Sequence, residues 1–231
     1  METRKIGIIG SGVVAQTLGE KLLTLGNPVM ISSRNVDAEK DLGPRGKFPS
    51  VNQWVEQQKA KNLDAYGGSF ADAAEFGEGV FNCTSGTASL EALGSANPDH
   101  LSGKILIDIA NPIDFSQGLP QLAFCNTESL GEKIQAAFPQ ARVVKTLNTI
   151  FVGIMVDPGQ LSDKTDIFIA GNDEETKEQV TNLLLKGWLG WERITDLGDI
   201  TAARAMEMYL PLWLRLMGVH KKPTFNIKIV Q

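Results

Sequence analysis

The chain has 231 residues, enough to bury a sizeable core, and 42% apolar with 21% charged residues is ordinary globular composition. A net charge of −5 with both signs interspersed argues against nucleic acid as the main partner, and two cysteines, Cys83 and Cys125, without CxxC spacing or companion histidines give neither a disulfide framework nor a metal site, so both are expected as reduced, buried thiols. No signal segment precedes the first apolar run, and Met208 to Leu214 contains a proline and falls far short of the roughly 20 residues that span a bilayer, so no membrane partner and a cytoplasmic location are expected.

The run Lys5 to Ile9 reads as a strand and opens directly into Gly10-Ser11-Gly12-Val13-Val14-Ala15. Gly10 permits a tight strand-to-helix turn, Gly12 lets the backbone approach a pyrophosphate, and Ala15 lets helix and strand pack closely. The anion then sits on free N–H groups at a helix N-terminus. A glycine-rich turn is a weak signal alone; its place between the first strand and the first helix makes it informative. Leu18, Leu22 and Leu25 continue at helical spacing, and Gly26-Asn27-Pro28 stops the helix. The second strand, Val29-Met30-Ile31, runs into Ser32-Ser33-Arg34-Asn35 about 20 residues past the glycines, where NAD-selective proteins place a carboxylate for the ribose 2′-hydroxyl. Hydroxyls and a guanidinium there suit the 2′-phosphate of NADP. At roughly 1.5–3 kcal/mol for each charge-assisted bond, NADPH is expected to be preferred over NADH by about tenfold to a hundredfold. The alternative for Arg34 is a solvated loop arginine. Lys40 adds charge nearby.

A polar stretch from Asp41 to Pro49 precedes Ser50-Val51-Asn52-Gln53, a capping box, so 41–63 reads as an insertion carrying a short helix. Leu63 to Tyr66 is the third expected strand. Val80 to Thr84 and Lys104 to Ile109 read as buried parallel strands, with a helix starting near Thr87 between them. Asp108 on that apolar strand needs a partner, and a structural hydrogen bond is favoured over catalysis. Ser129 to Glu132 forms a second capping box before the face Leu130, Ile134, Ala137, Phe138. The pattern continues with a strand over 142–147, a strand over 166–170, a helix from Asp173 to Leu185, a strand over 191–197 and a long helix over 200–217. Asp199, Arg204 and Glu207 read as a solvated face in preference to an intersubunit ion pair. Phe225 to Ile229 alternates like a half-buried strand. This alternation gives an α/β fold: a Rossmann-type, doubly wound, mainly parallel sheet with helices on both faces. Residues 1–150 are expected to form the NADP-binding domain, and 151–231 a C-terminal α/β extension packed on it or used at a dimer interface.

In an open parallel sheet ligands sit beyond the carboxyl ends of the strands. The segments there are Thr84-Ser85-Gly86, Ala110-Asn111-Pro112 and Asn148-Thr149, all small and polar. No histidine, lysine or carboxylate among them is placed to move a proton, and neither His100 nor His220 has a clear partner. Dehydrogenases acting on hydroxyl groups need such a residue, whereas hydride transfer to a flavin-like ring asks mainly for orientation. Each segment also has a plain structural reading: Asn111-Pro112 as a turn, Asn148 as a strand-end cap, Cys83 as core.

Taken together, the Gly10-Ser11-Gly12 turn, Ser33-Arg34, Val143 to Thr149, Gly171-Asn172-Asp173 and Asp196-Leu197-Gly198 resemble the NADPH-dependent oxidoreductases of the deazaflavin coenzyme F420. They also resemble the related cytosolic domain of six-transmembrane metalloreductases, and the likeness covers nearly the whole chain. The resemblance implies that Ser11, Gly12, Val13 and Val14 line the pyrophosphate turn with Gly10, that Ser33 and Arg34 hold the 2′-phosphate, and that Thr84 and Ser85 flank the nicotinamide. Ala110 is assigned to the same cofactor side, and Asn111, Pro112, Asn148 and Thr149 to the substrate. No catalytic acid or base and no metal ligand is assigned. The implied activity is direct hydride transfer between NADP(H) and coenzyme F420 or a related flavin, in a homodimer with Trp213 and Leu216 at its interface. The chain departs from the family in its longer 41–63 insertion and in Asn148, where the motif has histidine. An imine or hydroxy-acid dehydrogenase and a non-enzymatic NADP(H)-binding redox sensor are the competing readings.

Overall fold

The computed structural model describes residues 3–41 and 47–231. Eight strands form one sheet: β1 (Ile6–Ile9), β2 (Val29–Ser32), β3 (Ala65–Gly68), β4 (Gly79–Asn82), β5 (Ile105–Asp108), β6 (Arg142–Thr146), β7 (Asp166–Gly171) and β8 (Arg193–Asp196). Their order is β8-β7-β6-β5-β4-β1-β2-β3. Strand order therefore reverses between β1 and β4, and a crevice opens outside the carboxyl ends of these two strands.

Because successive side chains on a strand point to opposite faces, the apolar runs of the central strands feed two cores. Ile8, Phe81, Ile107 and Val144 face one core with Leu18, Trp54, Ile154 and Leu184. Ile9, Val80, Leu106 and Val143 face the other with Ala73, Leu93, Leu101 and Ile134. The first face carries α1 (Val13–Thr24), α2 (Val51–Lys59) and α7 (Val152–Val156); the second carries α3 (Phe70–Phe76), α4 (Ser89–Gly94), α5 (Pro98–Leu101) and α6 (Leu130–Ala137). The doubly wound, mainly parallel sheet is as the sequence pattern predicts.

The strand-helix alternation is interrupted once, since β7 runs antiparallel to β6 while every other neighbouring pair is parallel. Between them the chain forms only α7, which packs on α1, and a 3₁₀ turn over Pro158–Gln160. That link makes no crossover back to the amino-terminal end of the sheet, so β7 starts where β6 stops.

The Ser50–Gln53 capping box is present in full, and an unforeseen one forms at Ser69–Asp72 before α3. The Ser129 box is only half made: Ser129 accepts from the Glu132 main-chain N–H, but the Glu132 carboxylate takes the Ser129 hydroxyl and a two-pronged Arg204 instead of the capping residue's own N–H. The helix capped by Asp173, α8 (Glu174–Gln179), widens into a π-helical segment over Val180–Trp188, where Leu189 N–H reaches back five residues to Leu184. A short antiparallel hairpin pairs Lys40–Asp41 with Lys47–Phe48, and the polar turn over 42–46 lies outside the described residues. A second small hairpin pairs Ile113–Asp114 with Gln121–Leu122.

After a 3₁₀ turn at Ile200–Ala202, α9 runs from Ala203 to His220. The tail after it is no strand. Phe225 to Ile229 is tied to Asp166 beyond the end of β6, partly through side chains: Asp166 N–H donates to Ile227 O, Asn226 Nδ2 donates to Asp166 O, and Ile229 N–H donates to the Asp166 carboxylate. A ladder cannot form where side chains take these groups.

Candidate cofactor site

At the strand-order reversal a cleft of about 350 Å³ is lined by Gly10, Ser11, Gly12, Val13, Val14, Ser33, Arg34, Thr84 and Ser85, all singled out from the sequence. Gly10 has φ +128, and a Cβ there would stand 2.6 Å from the Cys83 carbonyl oxygen, so only glycine lets β1 turn into α1 against the end of β4. Gly12 caps α1 with no side-chain hydrogen bond, whereas Ser50, Ser69, Ser129 and Asp173 each spend an oxygen on their own helix. The first N–H groups of a 12-residue helix are thus left to an outside acceptor at its positive end. This is the cradle a dinucleotide pyrophosphate fits.

At the end of β2, Ser32 is buried and donates to Ile8 O, so its hydroxyl serves the fold. Ser33 and Arg34 are the groups left facing the cleft. The sequence reading missed four further lining residues, Phe70, Ala88, Glu91 and Ala92, because they come from α3, from α4 and from the turn that leads into α4. Glu91 pairs with Arg34 at 3.8 Å, both side chains being largely exposed. The side chain of Lys40 lies outside the described residues. Cys83 lines the cleft, and burial and the neighbouring Asp108 push its thiol pKa up. Cys125, in contrast to the expectation of a buried thiol, is exposed.

Ala110, Asn111, Pro112, Asn148 and Thr149 do not line the cleft but gather beside it. Gly86 lies flat on Asn111, where a Cβ would stand 2.1 Å from the Asn111 carbonyl oxygen, and this brings the Thr84–Gly86 and Ala110–Pro112 loops together. Asn111 Nδ2 donates to Asn148 O at 2.7 Å, and Asn148 Nδ2 donates to Asn111 Oδ1 at 2.9 Å and to Met206 O at 3.2 Å. Leu147, buried with φ +62, makes the turn that sets Asn148 in this pairing; a left-handed leucine costs about 1 kcal/mol or more and persists only where its surroundings enforce it. Asn148 Oδ1 is buried without a hydrogen-bond partner among the described residues.

Below these loops lies a buried charge cluster. Lys145 Nζ, fully buried, stands 2.8 Å from both Asp108 Oδ2 and Glu207 Oε1 and donates to Ala110 O at 2.6 Å. Asp108 Oδ1 accepts from Asn82 Nδ2 and from Ala110 N–H. Asn82 Oδ1 accepts from the Thr84 hydroxyl. Glu207 accepts from the Leu130 and Gly131 N–H groups that open α6. Burial opposes the Lys145 ammonium, but Asp108 and Glu207 outweigh it and hold its pKa above the usual value. Burial likewise pushes the Glu207 carboxyl up against the pull of Lys145.

Asp108 therefore has the structural partner expected of it, while Glu207 does not lie on a solvated face. Of the other two residues read as that face, Arg204 grips Glu132 and Asp199 caps the Thr201 N–H. Lys145 carried the missing signal: it follows Val143 and Val144 on a central strand as Asp108 follows Ile105 to Ile107 on the next, and buried opposite charges find each other. Pro211, four residues past Glu207, leaves the Glu207 main-chain carbonyl without a helical donor.

A larger cavity of about 640 Å³ opens at the other end of the sheet, lined by Arg4, Glu78, Phe81 and Trp188. It lies away from the carboxyl ends of the strands, and the chemistry described above belongs to the smaller cleft.

Comparison with known proteins agrees with this geometry. Residues 5–112 match the family model described as NADP oxidoreductase, coenzyme F420-dependent. The F420-dependent NADP reductase of Methanocaldococcus jannaschii is 26% identical over 97% of this chain and 97% of its own length. The metalloreductase STEAP3 of Rattus norvegicus is 29% identical over 96% of this chain, which spans only 39% of that protein. A crystal structure from Arthrobacter sp. FB24, provisionally designated an F420-dependent NADP-reductase, superposes with a TM-score of 0.89 at 43% identity, covering 99% of this chain and 100% of the other. An imine reductase of Aspergillus terreus shares the fold at 15% identity and a TM-score of 0.63 over 96% of this chain and 64% of its own. With the crevice, the uncapped helix and a full-length structural relative in agreement, the chain belongs to the family of coenzyme F420-dependent NADP oxidoreductases.

Proposed function

We propose that the cleft binds NADP(H) with its pyrophosphate on the Gly10–Val14 turn, its 2′-phosphate on Ser33 and Arg34, and its nicotinamide toward Thr84, Ser85 and Ala110. The observation that carries this reading is an uncapped α1 N-terminus and an exposed arginine, held only by a weak surface pair with Glu91, sharing one cleft. Bound NADPH supplies a hydride, one proton with two electrons, and is left as NADP⁺; the ring that accepts the hydride takes a further proton from water.

The acceptor is coenzyme F420 or a related flavin, placed beside Asn111, Pro112, Asn148 and Thr149. These residues offer amides, a hydroxyl and a flat proline, groups that orient a ring without exchanging protons with it. The free Oδ1 of Asn148 suits a ring N–H donor. The protein works as a homodimer through α9, which is apolar around much of its circumference. Met208 and Leu212 are exposed on it, and Tyr209 Oη and Trp213 Nε1 are buried without hydrogen-bond partners among the described residues.

The test follows NADPH and NADH oxidation in parallel against coenzyme F420, FMN, FAD and quinones. Turnover with a flavin-type ring and a preference for NADPH is expected. Binding of NADPH with no turnover of any flavin-type ring would overturn the acceptor assignment.

A further inference from the structure

The buried cluster beside the cleft sets two carboxyls against one ammonium. Asp108 accepts three hydrogen bonds, from Asn82, the Ala110 N–H and Lys145. Glu207 accepts from two main-chain N–H groups and faces Lys145. Among the described residues each carboxyl meets only donors, which hold Glu207 as a carboxylate against the upward push of burial and of Asp108, and Lys145 is the one cation standing against the two. Two negative charges against one positive leave one in excess, offset in part by the α6 N-terminus beneath Glu207. This excess is one hydrogen bond removed from the loops flanking the cleft: Lys145 and Asp108 hold the two polar ends of Ala110, and Asn82 bridges Asp108 to Thr84.

We propose that the Asp108–Lys145–Glu207 triad keeps the nicotinamide end of the site at negative potential and so favours the cationic ring of NADP⁺ over the neutral ring of NADPH. The inference rests on the cofactor placement given above. The two cofactor forms differ in that ring by one positive charge, and nothing else in their contacts with the protein need change. By linkage, whatever binds the oxidised form more tightly makes the bound reduced form a stronger hydride donor. The triad thus sets the direction of transfer from a place that touches neither cofactor nor acceptor.

The experiment needs no acceptor. NADPH is titrated by its fluorescence and NADP⁺ by competition, at one fixed ionic strength, for the unaltered protein, Glu207→Gln, Asp108→Asn and, as a control, Glu78→Gln, which removes an exposed carboxylate at the amino-terminal end of β4. Removing one unit charge on the order of 10 Å from the ring at an effective dielectric near about 20 should shift the ratio of the two dissociation constants about tenfold against NADP⁺. Both triad variants should show this shift and the control should not. Should one triad variant fail to give a native melting transition, the other decides.

A role confined to packing would weaken both cofactor forms alike and leave the ratio unmoved, and that result would overturn the proposal. If the unaltered protein bound neither form, the cofactor placement itself would fall, and this inference with it.

Discussion

Arg34 Nη1 faces Glu91 Oε1 at 3.8 Å across the mouth of the cleft, so the cation expected to take a 2′-phosphate already has a carboxylate beside it. The pair is exposed and weak, and a phosphate carrying nearly two charges displaces it readily. Replacing Arg34 by alanine should weaken NADPH binding about tenfold to a hundredfold and leave NADH binding within about twofold. Glu91→Gln should tighten NADPH binding a few-fold by removing a like charge. Fluorescence titration of both cofactors on both variants checks the pair of outcomes, and equal losses for NADPH and NADH in Arg34→Ala would refute the 2′-phosphate assignment.

Gly10 tests the turn itself. Alanine there has to adopt φ +128 and put its Cβ 2.6 Å from the Cys83 carbonyl oxygen, which is backbone and cannot swing away. Gly10→Ala should cost about 1–3 kcal/mol in denaturant unfolding and abolish measurable NADPH binding. A variant of unchanged stability that still binds would show that β1 and β4 are not in the contact described.

Lys145 tests the buried cluster in a different way from the cofactor titrations. Lys145→Met leaves two facing carboxylates without their cation, and breaking a buried pair in this manner costs about 3–5 kcal/mol. Chemical denaturation at neutral pH measures the loss. Because the Glu207 carboxyl, already pushed up by burial, loses the cation that pulls it down, the same variant should recover part of its stability as the pH is lowered, opposite to the unaltered protein.

The unaltered protein should lose stability in acid. A hydrogen bond from Arg204 holds the Glu132 carboxyl below its ordinary 4.5, and the Thr176 and Thr201 caps hold Asp173 and Asp199 below 3.8. A carboxyl with a lowered pKa in the fold contributes stability above its ordinary value and loses it as the pH falls through the lowered one. Melting temperature should therefore be level down to about pH 5 and fall below about pH 4. Glu132→Gln should melt lower at pH 7 and show a shallower acid slope. An unchanged slope would mean that the Arg204 pairing contributes nothing in solution.

Much of this fold was legible because its strands are short apolar runs separated by capping and turn residues. Ser50 and Gln53 announced α2, and Gly10 and Gly12 announced the cleft. What escaped the sequence reading depends on distance along the chain. The reversal of β7 follows from the path of residues 147–165, and apolar periodicity does not encode direction. Glu207 read as solvated because Arg204, three residues before it, is also charged, yet its partners lie at Leu130, Gly131 and Lys145 on other elements. Phe70 and Glu91 entered the cleft the same way. Phe225 to Ile229 has the alternation of a strand, but the Asn226 and Asp166 side chains occupy the groups a ladder would need.

The closure of the buried cluster by α9 also orders events during synthesis. The strands that build the cofactor crevice leave the ribosome before Glu207 does, and the α6 N–H groups of Leu130 and Gly131 wait 77 and 76 residues for their acceptor. Of the three charged groups, Asp108 and Lys145 are made first, and by themselves they are a neutral couple. The nascent chain can thus assemble its central sheet around a balanced pair, and the second carboxylate arrives last, with the helix that closes over it.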